Sequence, residues 1–196
     1  MKKIYLVAIS IFLTGNTVFA KEQITAKNGV LDLRTWNWKN DGIISLNGNW
    51  EFYWQKFYAP SFFKSDSAGS FKHYAFLPDF WNKDIPDKNN KPEGFGFATY
   101  HLKILCPLAN EKLAMKFLTV GSAYRLFVNG KEILNVGNAG TSAAATVPYL
   151  KPLIISITPD NNELDIVIQV SNFNNRIGGL WDFIKLGPED QIYANR

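Results

Sequence analysis

Apolar and polar side chains alternate along several stretches of this 196-residue chain. Successive side chains of a strand point to opposite faces, so a period of two is typical of a sheet that covers a core with one face. No stretch shows the longer period of an extended amphipathic helix. The apolar positions of the three clearest runs are Trp50, Phe52 and Trp54; Ala98, Tyr100, Leu102, Ile104 and Cys106; and Leu164, Ile166, Ile168 and Val170. We therefore expect an all-β chain whose sheets bury one face and leave a more polar face to solvent.

Turn signals separate these runs. Asn129-Gly130 joins two strand-like segments and tolerates the positive φ angles that a tight hairpin requires. One or two helical turns are expected within 54–63, ended near Pro60. The other expected segments are a strand over 163–171 after the turn at 160–162, a polar loop over 82–92, and a loop rich in Gly, Ala and Ser over 137–146. Short strands with turns between them favour a jelly-roll β-sandwich, and function usually lies in the end loops of such a fold.

The N-terminal residues indicate the compartment. A short basic segment precedes an almost wholly apolar run over 4–13, and Val18-Phe19-Ala20 offers the small residues that a signal peptidase reads. These features predict a signal peptide over 1–20, removed after Ala20. A membrane anchor fits less well, because a spanning helix needs roughly 20 apolar residues. We expect a periplasmic or secreted protein with one domain over 21–196 and no transmembrane segment after cleavage.

Charge and cysteine content restrict the partners. Without the two lysines of the signal peptide, 19 of the 21 basic residues remain against 17 acidic ones, and they form no cluster. Nucleic acid is therefore not an expected partner. Cys106 is the only cysteine, so an exported chain has no internal disulfide and depends on its core for stability. Cys106 ends an apolar run, which predicts a buried thiol.

Sequence patterns for catalysis are missing. There is no Gly-x-Ser-x-Gly elbow, no phosphate-binding loop and no His-Glu-x-x-His motif. The two histidines, His73 and His101, are too few for a typical zinc site. Loop carboxylates occur at Asp79, Asp84, Asp182 and Glu189. Their spacing selects no pair of the kind that a glycosidase needs, so we expect no catalytic residue, no metal and no cofactor, in a protein that is not an enzyme.

Aromatic residues in or beside loops are the best indication of function. Aromatic rings stack on the C–H faces of sugars and on other flat ligands, and Arg or Asn side chains add directional hydrogen bonds. Arg176 and Trp181 share one glycine-rich loop. For each tryptophan, a place in the core is the open alternative. The candidate ligand-binding residues are Trp81, Phe95, Tyr100, Arg125, Asn172, Arg176 and Trp181.

Seven motifs in one order resemble a known kind of domain. They are Leu46-Asn-Gly-Asn-Trp-Glu-Phe-Tyr-Trp54, Leu77-Pro-Asp-Phe-Trp81, Gly94-Phe-Gly-Phe-Ala-Thr-Tyr100, Tyr124-Arg-Leu-Phe-Val-Asn-Gly130, Ser171-Asn-Phe173, Gly178-Gly-Leu-Trp181 and Leu186-Gly-Pro-Glu-Asp-Gln-Ile192. This set, which covers Val30 to Ile192, resembles the periplasmic sensor domain of bacterial seven-transmembrane receptors with diverse intracellular signalling modules. Those domains have a galactose-binding-like jelly-roll fold. The sugar-binding domain of family 2 glycoside hydrolases is similar to a looser form of the middle motifs.

The resemblance implies an extracytoplasmic sensor domain that binds a small ligand, such as a carbohydrate or a carboxylated metabolite. In such receptors, membrane helices and an output domain follow the last motif, whereas this chain stops at Arg196. A separate sensor that signals through a membrane receptor or signalling protein, and a shortened receptor product, are both left open. Two further functions are considered: a carbohydrate-binding accessory domain of a glycoside hydrolase, and a protein–protein interaction module.

Overall fold

The described residues form two β-sheets and two short α-helices. A computed structural model of the protein describes residues 24–65, 73–84, 94–107 and 111–195, so the predicted signal peptide lies outside the described residues. The strands are β1 (Val30–Asp32), β2 (Ile44–Ser45), β3 (Gly48–Trp54), β4 (His73–Leu77), β5 (Gly96–Leu105), β6 (Leu113–Phe117), β7 (Ala123–Val128), β8 (Lys131–Val136), β9 (Leu153–Ile157), β10 (Glu163–Asn172) and β11 (Lys185–Pro188). The helices are α1 (Trp38–Asp41) and α2 (Glu189–Ala194), and 3₁₀ turns occur at Pro60–Lys64 and Trp81–Lys83. None of these helices is long and apolar enough to cross a membrane.

Strand pairing produces a sandwich. The larger sheet has the order β4-β3-β5-β10-β7-β8, with β1 added parallel to β5, and the smaller sheet has the order β2-β11-β6-β9. Every other pairing between two of these strands is antiparallel. The predicted all-β, galactose-binding-like jelly-roll sandwich is confirmed. The long β5–β10 ladder runs from Leu105 opposite Glu163 to Gly96 opposite Asn172, so the start of β5 and the end of β10 lie side by side.

The predicted alternation is confirmed in the core. Tyr100 of β5 lies opposite Ile168 of β10 and Phe52 of β3, and all three side chains are fully buried. Met115 and Leu186 of the smaller sheet belong to the same buried cluster. Large rings bury more apolar surface than other side chains and interiors pack without voids, so this core can stabilise a chain that has no disulfide.

Two local predictions are also confirmed. Asn129 and Gly130 have φ angles of 51° and 83°, as the tight turn between β7 and β8 requires. Cys106 is buried, and burial raises the pKa of its thiol to about 12. The thiol therefore stays protonated and unreactive at neutral pH.

The outer face of the larger sheet is not left to solvent, which corrects the expectation of a solvated polar face. Residues 55–65, here called the strap, cross this face. The Tyr58 amide donates to Thr99 Oγ1 at 3.0 Å, and the Gln169 side chain donates to the Tyr58 carbonyl at 3.0 Å. Thr99 and Gln169 are consequently buried. The helical turn of the strap begins at Pro60 instead of ending there, because proline fits the first position of a helix.

A charged cluster lies beneath the strap. His101 Nδ1 lies 2.8 Å from Glu51 Oε2, and His101 Nε2 lies 3.4 Å from Asp165 Oδ2. Phe63 of the strap stacks on the imidazole with ring centroids 4.0 Å apart, and the Tyr53 hydroxyl donates to Glu51 at 3.0 Å. Burial opposes a charge on the imidazole, but the hydrogen bonds to Asp165 and Glu51 outweigh burial and raise the pKa of His101. The imidazole of His101 thus bridges two carboxylates beneath the ring of Phe63.

Replacing His101 tests this cluster through the pH dependence of stability. Because the folded-state pKa of His101 is raised above an unfolded value of about 6.5, its contribution is complete below that pH and is lost as the pH rises through the folded-state pKa. We expect the free energy of unfolding, from urea titrations at a series of pH values, to fall across this window. His101→Gln should remove much of that fall, whereas His73→Gln, at the exposed histidine of β4, should not. Equal pH profiles for His101→Gln and the native chain would contradict this account.

Candidate ligand-binding site

Several loops meet at the end of the sandwich where β5 begins, β7 begins and β10 ends. We call it the glycine-rich end and define it as residues 78–84, 94–96, 118–122 and 172–181. The Trp81 amide donates to the Gly178 carbonyl at 3.1 Å, and the Gly121 amide donates to the Gly179 carbonyl at 3.4 Å. These loops are therefore one connected unit.

Asn172 ties two of these loops together. Its side chain is fully buried, and its amide nitrogen shares its two protons among the carbonyl oxygens of Gly94, Asn175 and Ile177, which lie at 2.8, 2.7 and 3.0 Å. Its side-chain oxygen accepts the backbone N–H of Asn175 at 3.1 Å. A buried amide whose donors and acceptor are all used fixes the conformation of the segments that it joins. The structure thus places this predicted ligand-binding residue inside the support of the loops.

Trp81 and Tyr100 form a buried layer under the same loops. The Trp81 indole N–H donates to the Gly94 carbonyl at 3.1 Å, and a Cβ on Gly178 would lie 2.4 Å from the Trp81 ring, so only glycine fits there. Tyr100 is also fully buried, and a Cβ on Gly179 would lie 2.9 Å from its hydroxyl. Burial raises the pKa of Tyr100 well above 10. Both rings therefore support the loops from the core side.

Phe95 and Arg176 are displayed on the outside of this support. Phe95 is 40% exposed and Ile177 is 42% exposed, and Arg176 is exposed as well. Gly94 lets the loops touch, because a Cβ on Gly94 would lie 2.2 Å from the Arg176 carbonyl oxygen. The sequence-predicted aromatic ring and cation are thus carried by neighbouring segments whose backbones are in contact.

Trp181 lies at the border between the buried support and the exposed surface. Its ring covers Gly121, where a Cβ would lie 1.6 Å from the indole, and its centroid lies 6.0 Å from that of Phe80. Both rings are half-buried. Each therefore keeps part of its surface available for a ligand.

Arg125 is separated from the other six predicted residues. It lies on β7 opposite Gln169, on the outer face of the larger sheet, and its guanidinium carbon lies 5.5 Å from the ring centroid of Phe57 in the strap. This is the geometry of a cation–π contact. Its Nε atom is buried without a hydrogen-bond partner among the described residues. Arg125 therefore packs against the strap and lies outside the glycine-rich end.

Sequence spacing did not select an acidic pair, but the structure distinguishes Asp79 from Asp84. Lys83 Nζ lies 2.7 Å from Asp79 Oδ2, and the Phe80 amide donates to Asp79 Oδ1 at 2.7 Å. Burial opposes ionisation of Asp79, yet these hydrogen bonds lower its pKa. Burial, followed by the negative charge of Asp79, raises the pKa of Asp84 to about 6. Neighbouring carboxyl groups whose pKa values differ are frequent at functional sites. The difference between Asp79 and Asp84 is visible only in the fold around 78–84.

Three cavities lie away from the glycine-rich end. Cavities of about 630 and 480 Å³ lie at the opposite end of the sandwich, around Lys112 and Glu189, and one of about 390 Å³ lies beside Phe117 and Leu153. None of the seven predicted ligand-binding residues lines them. The expected concave pocket at the glycine-rich end stays a prediction.

Removing the Asn172 carboxamide should loosen the whole glycine-rich end. We expect Asn172→Ala to lower the free energy of unfolding by about 2–4 kcal/mol, because the buried Gly94 carbonyl and the part-buried backbone groups of Asn175 and Ile177 lose their partner. Urea titration measures this change. Asn174→Ala is the matched control, since Asn174 is exposed two residues away, and its effect should stay within about 0.5 kcal/mol. Equal effects of the two substitutions would show that Asn172 does not hold the loops.

Asp84→Asn should stabilise the protein in a pH-dependent way. The folded-state pKa of about 6 exceeds the unfolded value of about 3.9, so ionisation of Asp84 removes stability as the pH rises through 6. Because the carboxyl is only half-buried, we expect a gain of about 1 kcal/mol at neutral pH and none at acid pH where both states are protonated. Asp160→Asn, at an exposed aspartate, is the control. A loss of stability at neutral pH would show that a cation compensates the Asp84 carboxylate.

The two-sheet sandwich belongs to the class of galactose-binding-like β-sandwich domains. Solved structures with this fold include a β-glucuronidase from an uncultured Clostridium sp. (18% identity, TM-score 0.55, covering 75% of this chain and 29% of that chain). They also include a β-glucuronidase from Ruminococcus gnavus (16%, TM-score 0.51, 74% and 27%) and a GH2 β-galacturonidase from Eisenbergiella tayi (12%, TM-score 0.50, 74% and 24%). No protein-family model and no curated protein matches the chain.

The match spans about a quarter of the length of these glycosidases. At such identities the similarity shows the fold alone. The resemblance to receptor sensor domains stays a prediction.

Proposed function

We propose that the protein is an extracytoplasmic, ligand-binding sensor domain that takes a carbohydrate or a small carboxylated metabolite at its glycine-rich end. The observation that carries the proposal is the division of this end into two layers. Asn172, Trp81 and Tyr100 form a buried support, and Phe95 and Arg176 are displayed above it. A surface whose loops are already ordered loses less conformational entropy on binding, which favours affinity.

The displayed side chains fit a ligand that combines an apolar ring face with a carboxylate. Phe95 and the half-buried ring of Trp181 can contact the C–H face of a sugar. The guanidinium of Arg176 can pair with a carboxylate through two parallel hydrogen bonds. Uronic acids contain both features, and the glycosidases that share the fold include β-glucuronidases and a β-galacturonidase. Glucuronate and galacturonate are therefore the first ligands to test.

We further propose that the domain binds without turnover and that its output passes to a membrane receptor or signalling protein. Binding would shift the population of a signalling conformation in that partner. The glycine-rich end contains two carboxyl groups, those of Asp79 and Asp84. The Asp79 carboxylate forms an ion pair with Lys83. The alternative function, an accessory carbohydrate-binding domain of a glycoside hydrolase, would use the same surface but needs no signalling partner.

Calorimetric titration with glucuronate, galacturonate and the neutral sugars glucose and galactose tests the site. We expect Phe95→Ala to weaken binding of acidic and neutral sugars alike by about tenfold, which corresponds to about 1.4 kcal/mol. Arg176→Gln should weaken only the uronates, because it removes the cation and keeps most of the side-chain length. Together, the two results would show that Phe95 contacts the sugar ring and that Arg176 contacts the carboxylate of the ligand.

Phe76→Ala and Arg34→Gln are the matched controls, since both side chains are exposed and lie outside the glycine-rich end. Neither should change the affinity. Absence of binding by every sugar in the panel, or equal weakening by the controls, would refute the proposed site. Hydrolysis of a nitrophenyl glucuronide that Asp84→Asn abolishes would instead identify an enzyme.

A further inference from the structure

The strap lies on the larger sheet without joining it as a strand. At its start, the Gln55 amide donates to a carbonyl of β5 at 2.8 Å. Over residues 56–65, no backbone–backbone hydrogen bond to the sheet occurs within the described ranges. Side chains hold this part instead: Thr99 Oγ1 accepts from the Tyr58 amide, and the Gln169 side chain donates to the Tyr58 carbonyl. These few bonds can break while the strand ladders beneath them stay intact.

Aromatic rings attach the strap to β5 near both of its ends. The Phe57 ring lies 5.0 Å from that of Phe97, and the Phe63 ring lies 4.0 Å from the imidazole of His101, between centroids. A ring that keeps part of its surface in water contributes less hydrophobic stabilisation than a ring in the core. All four aromatic rings of the strap are half-buried, namely those of Phe57, Tyr58, Phe62 and Phe63. The strap is therefore attached more weakly than the strands.

Two polar atoms under the strap have no hydrogen-bond partner. Gln169 lies opposite Arg125 of β7, and both side chains contact the strap. Gln169 is only 4% exposed, yet its Oε1 atom is buried without a partner among the described residues, as is Arg125 Nε. Burial of an unpartnered polar atom is unfavourable, because the atom loses its hydrogen bond to water. Opening of the strap would return both atoms to water, which offsets part of the contact energy that opening removes.

The junction between β3 and the strap has an unusual backbone conformation. Gln55, the first residue of the strap, has a φ angle of 52°, in the left-handed region that residues with a Cβ adopt infrequently. Such residues persist where surrounding contacts hold them, and they are frequent in segments that switch between conformations. Gln55 is therefore the position at which the strap can pivot away from the sheet.

We propose that the strap is a lid, which opens as a unit about Gln55 while the sandwich stays folded and uncovers a second polar surface on the larger sheet. Thr99, Gln169 and Arg125 lie side by side on β5, β10 and β7 at the centre of this surface. Their hydroxyl, carboxamide and guanidinium groups offer hydrogen-bond donors and acceptors that the closed strap hides. The lid uses none of the residues of the glycine-rich end, so it does not depend on the proposed ligand.

Native-state hydrogen exchange of the Tyr58 amide tests the lid. At low urea concentration, we expect this amide to exchange at least about a hundred times faster than the amides in the centre of the β5–β10 ladder. Its opening should depend only weakly on urea, because little surface becomes exposed. Exchange of Tyr58 at the rate of the ladder, with the same urea dependence, would overturn the proposal. Exchange at the rate of an unstructured chain would do the same, since the strap would then not close.

A substitution at the far end of the strap tests whether it opens as a unit. Phe63→Ala removes the stacking on His101 and leaves the hydrogen bond of the Tyr58 amide in place. It destabilises the closed form relative to the open form, so exchange of Tyr58 should become about tenfold faster. Phe63→Leu is a milder variant that should act in the same direction by a few-fold.

Ile157→Val, at a buried position of the smaller sheet, is the matched control. It should destabilise the closed and open forms alike, because Ile157 lies in the sandwich and not under the strap. The ladder amides should therefore exchange several-fold faster, whereas the rate of Tyr58 should not change. A Tyr58 amide that responds to Ile157→Val as strongly as to the Phe63 variants would show that the strap does not open independently of the sandwich.

Discussion

The buried carboxamide of Asn172 is the interaction on which the glycine-rich end of the molecule depends. It stands at the last position of β10, and it hydrogen-bonds the Gly94 carbonyl in front of β5 and the loop that follows β10. The segment before β5 and the loop after β10 are thus both fixed to the end of the β5–β10 ladder. The same carbonyl of Gly94 accepts from Trp81, so a third segment is fixed at the same point. Rigid display of Phe95 and Arg176 is a consequence of this buried hydrogen-bond network.

Glycines make this network sterically possible. The Trp81 ring occupies the space where Gly178 would carry a Cβ, and the Trp181 ring does the same at Gly121. The two indole rings therefore pack directly against the glycine backbone at van der Waals distance. This packing explains why a glycine-rich segment, which would be flexible in isolation, is ordered in the protein. It also explains how a chain without a disulfide keeps a defined loop conformation.

Alternation of side chains was sufficient to predict the all-β fold, the buried positions of β5 and β10, and the Asn129-Gly130 hairpin, because these features follow from local periodicity and turn chemistry. The solvated outer face was predicted wrongly. Thr99, His101 and Gln169 are polar, yet the strap covers them, and no local pattern shows that a distant segment will fold back over a sheet. The buried pairing of Glu51 with His101 joins residues fifty positions apart and was equally invisible in the sequence.

In the candidate site, too, local sequence predicts some features, and contacts between distant residues decide the others. Residue type alone identified Phe95 and Arg176, which the structure displays, together with Trp81, Tyr100 and Asn172, which it buries as support. Composition does not separate a ring that contacts a ligand from a ring that positions a loop, since both are aromatic residues near glycines. Burial and the hydrogen-bond partners of each polar atom distinguish the exposed residues from those that support the loops.

Native-state hydrogen exchange of the glycine-rich end tests the central claim most directly. The amides of Asn175 and Trp81, which are bonded to the Asn172 side chain and to the Gly178 carbonyl, should exchange only through openings whose free energy approaches that of global unfolding. In Asn172→Ala both amides should lose this protection, while the amides in the centre of the β5–β10 ladder keep theirs. Exchange of Asn175 and Trp81 in the native chain at the rate of unstructured loops would contradict the claim that these loops are held rigid.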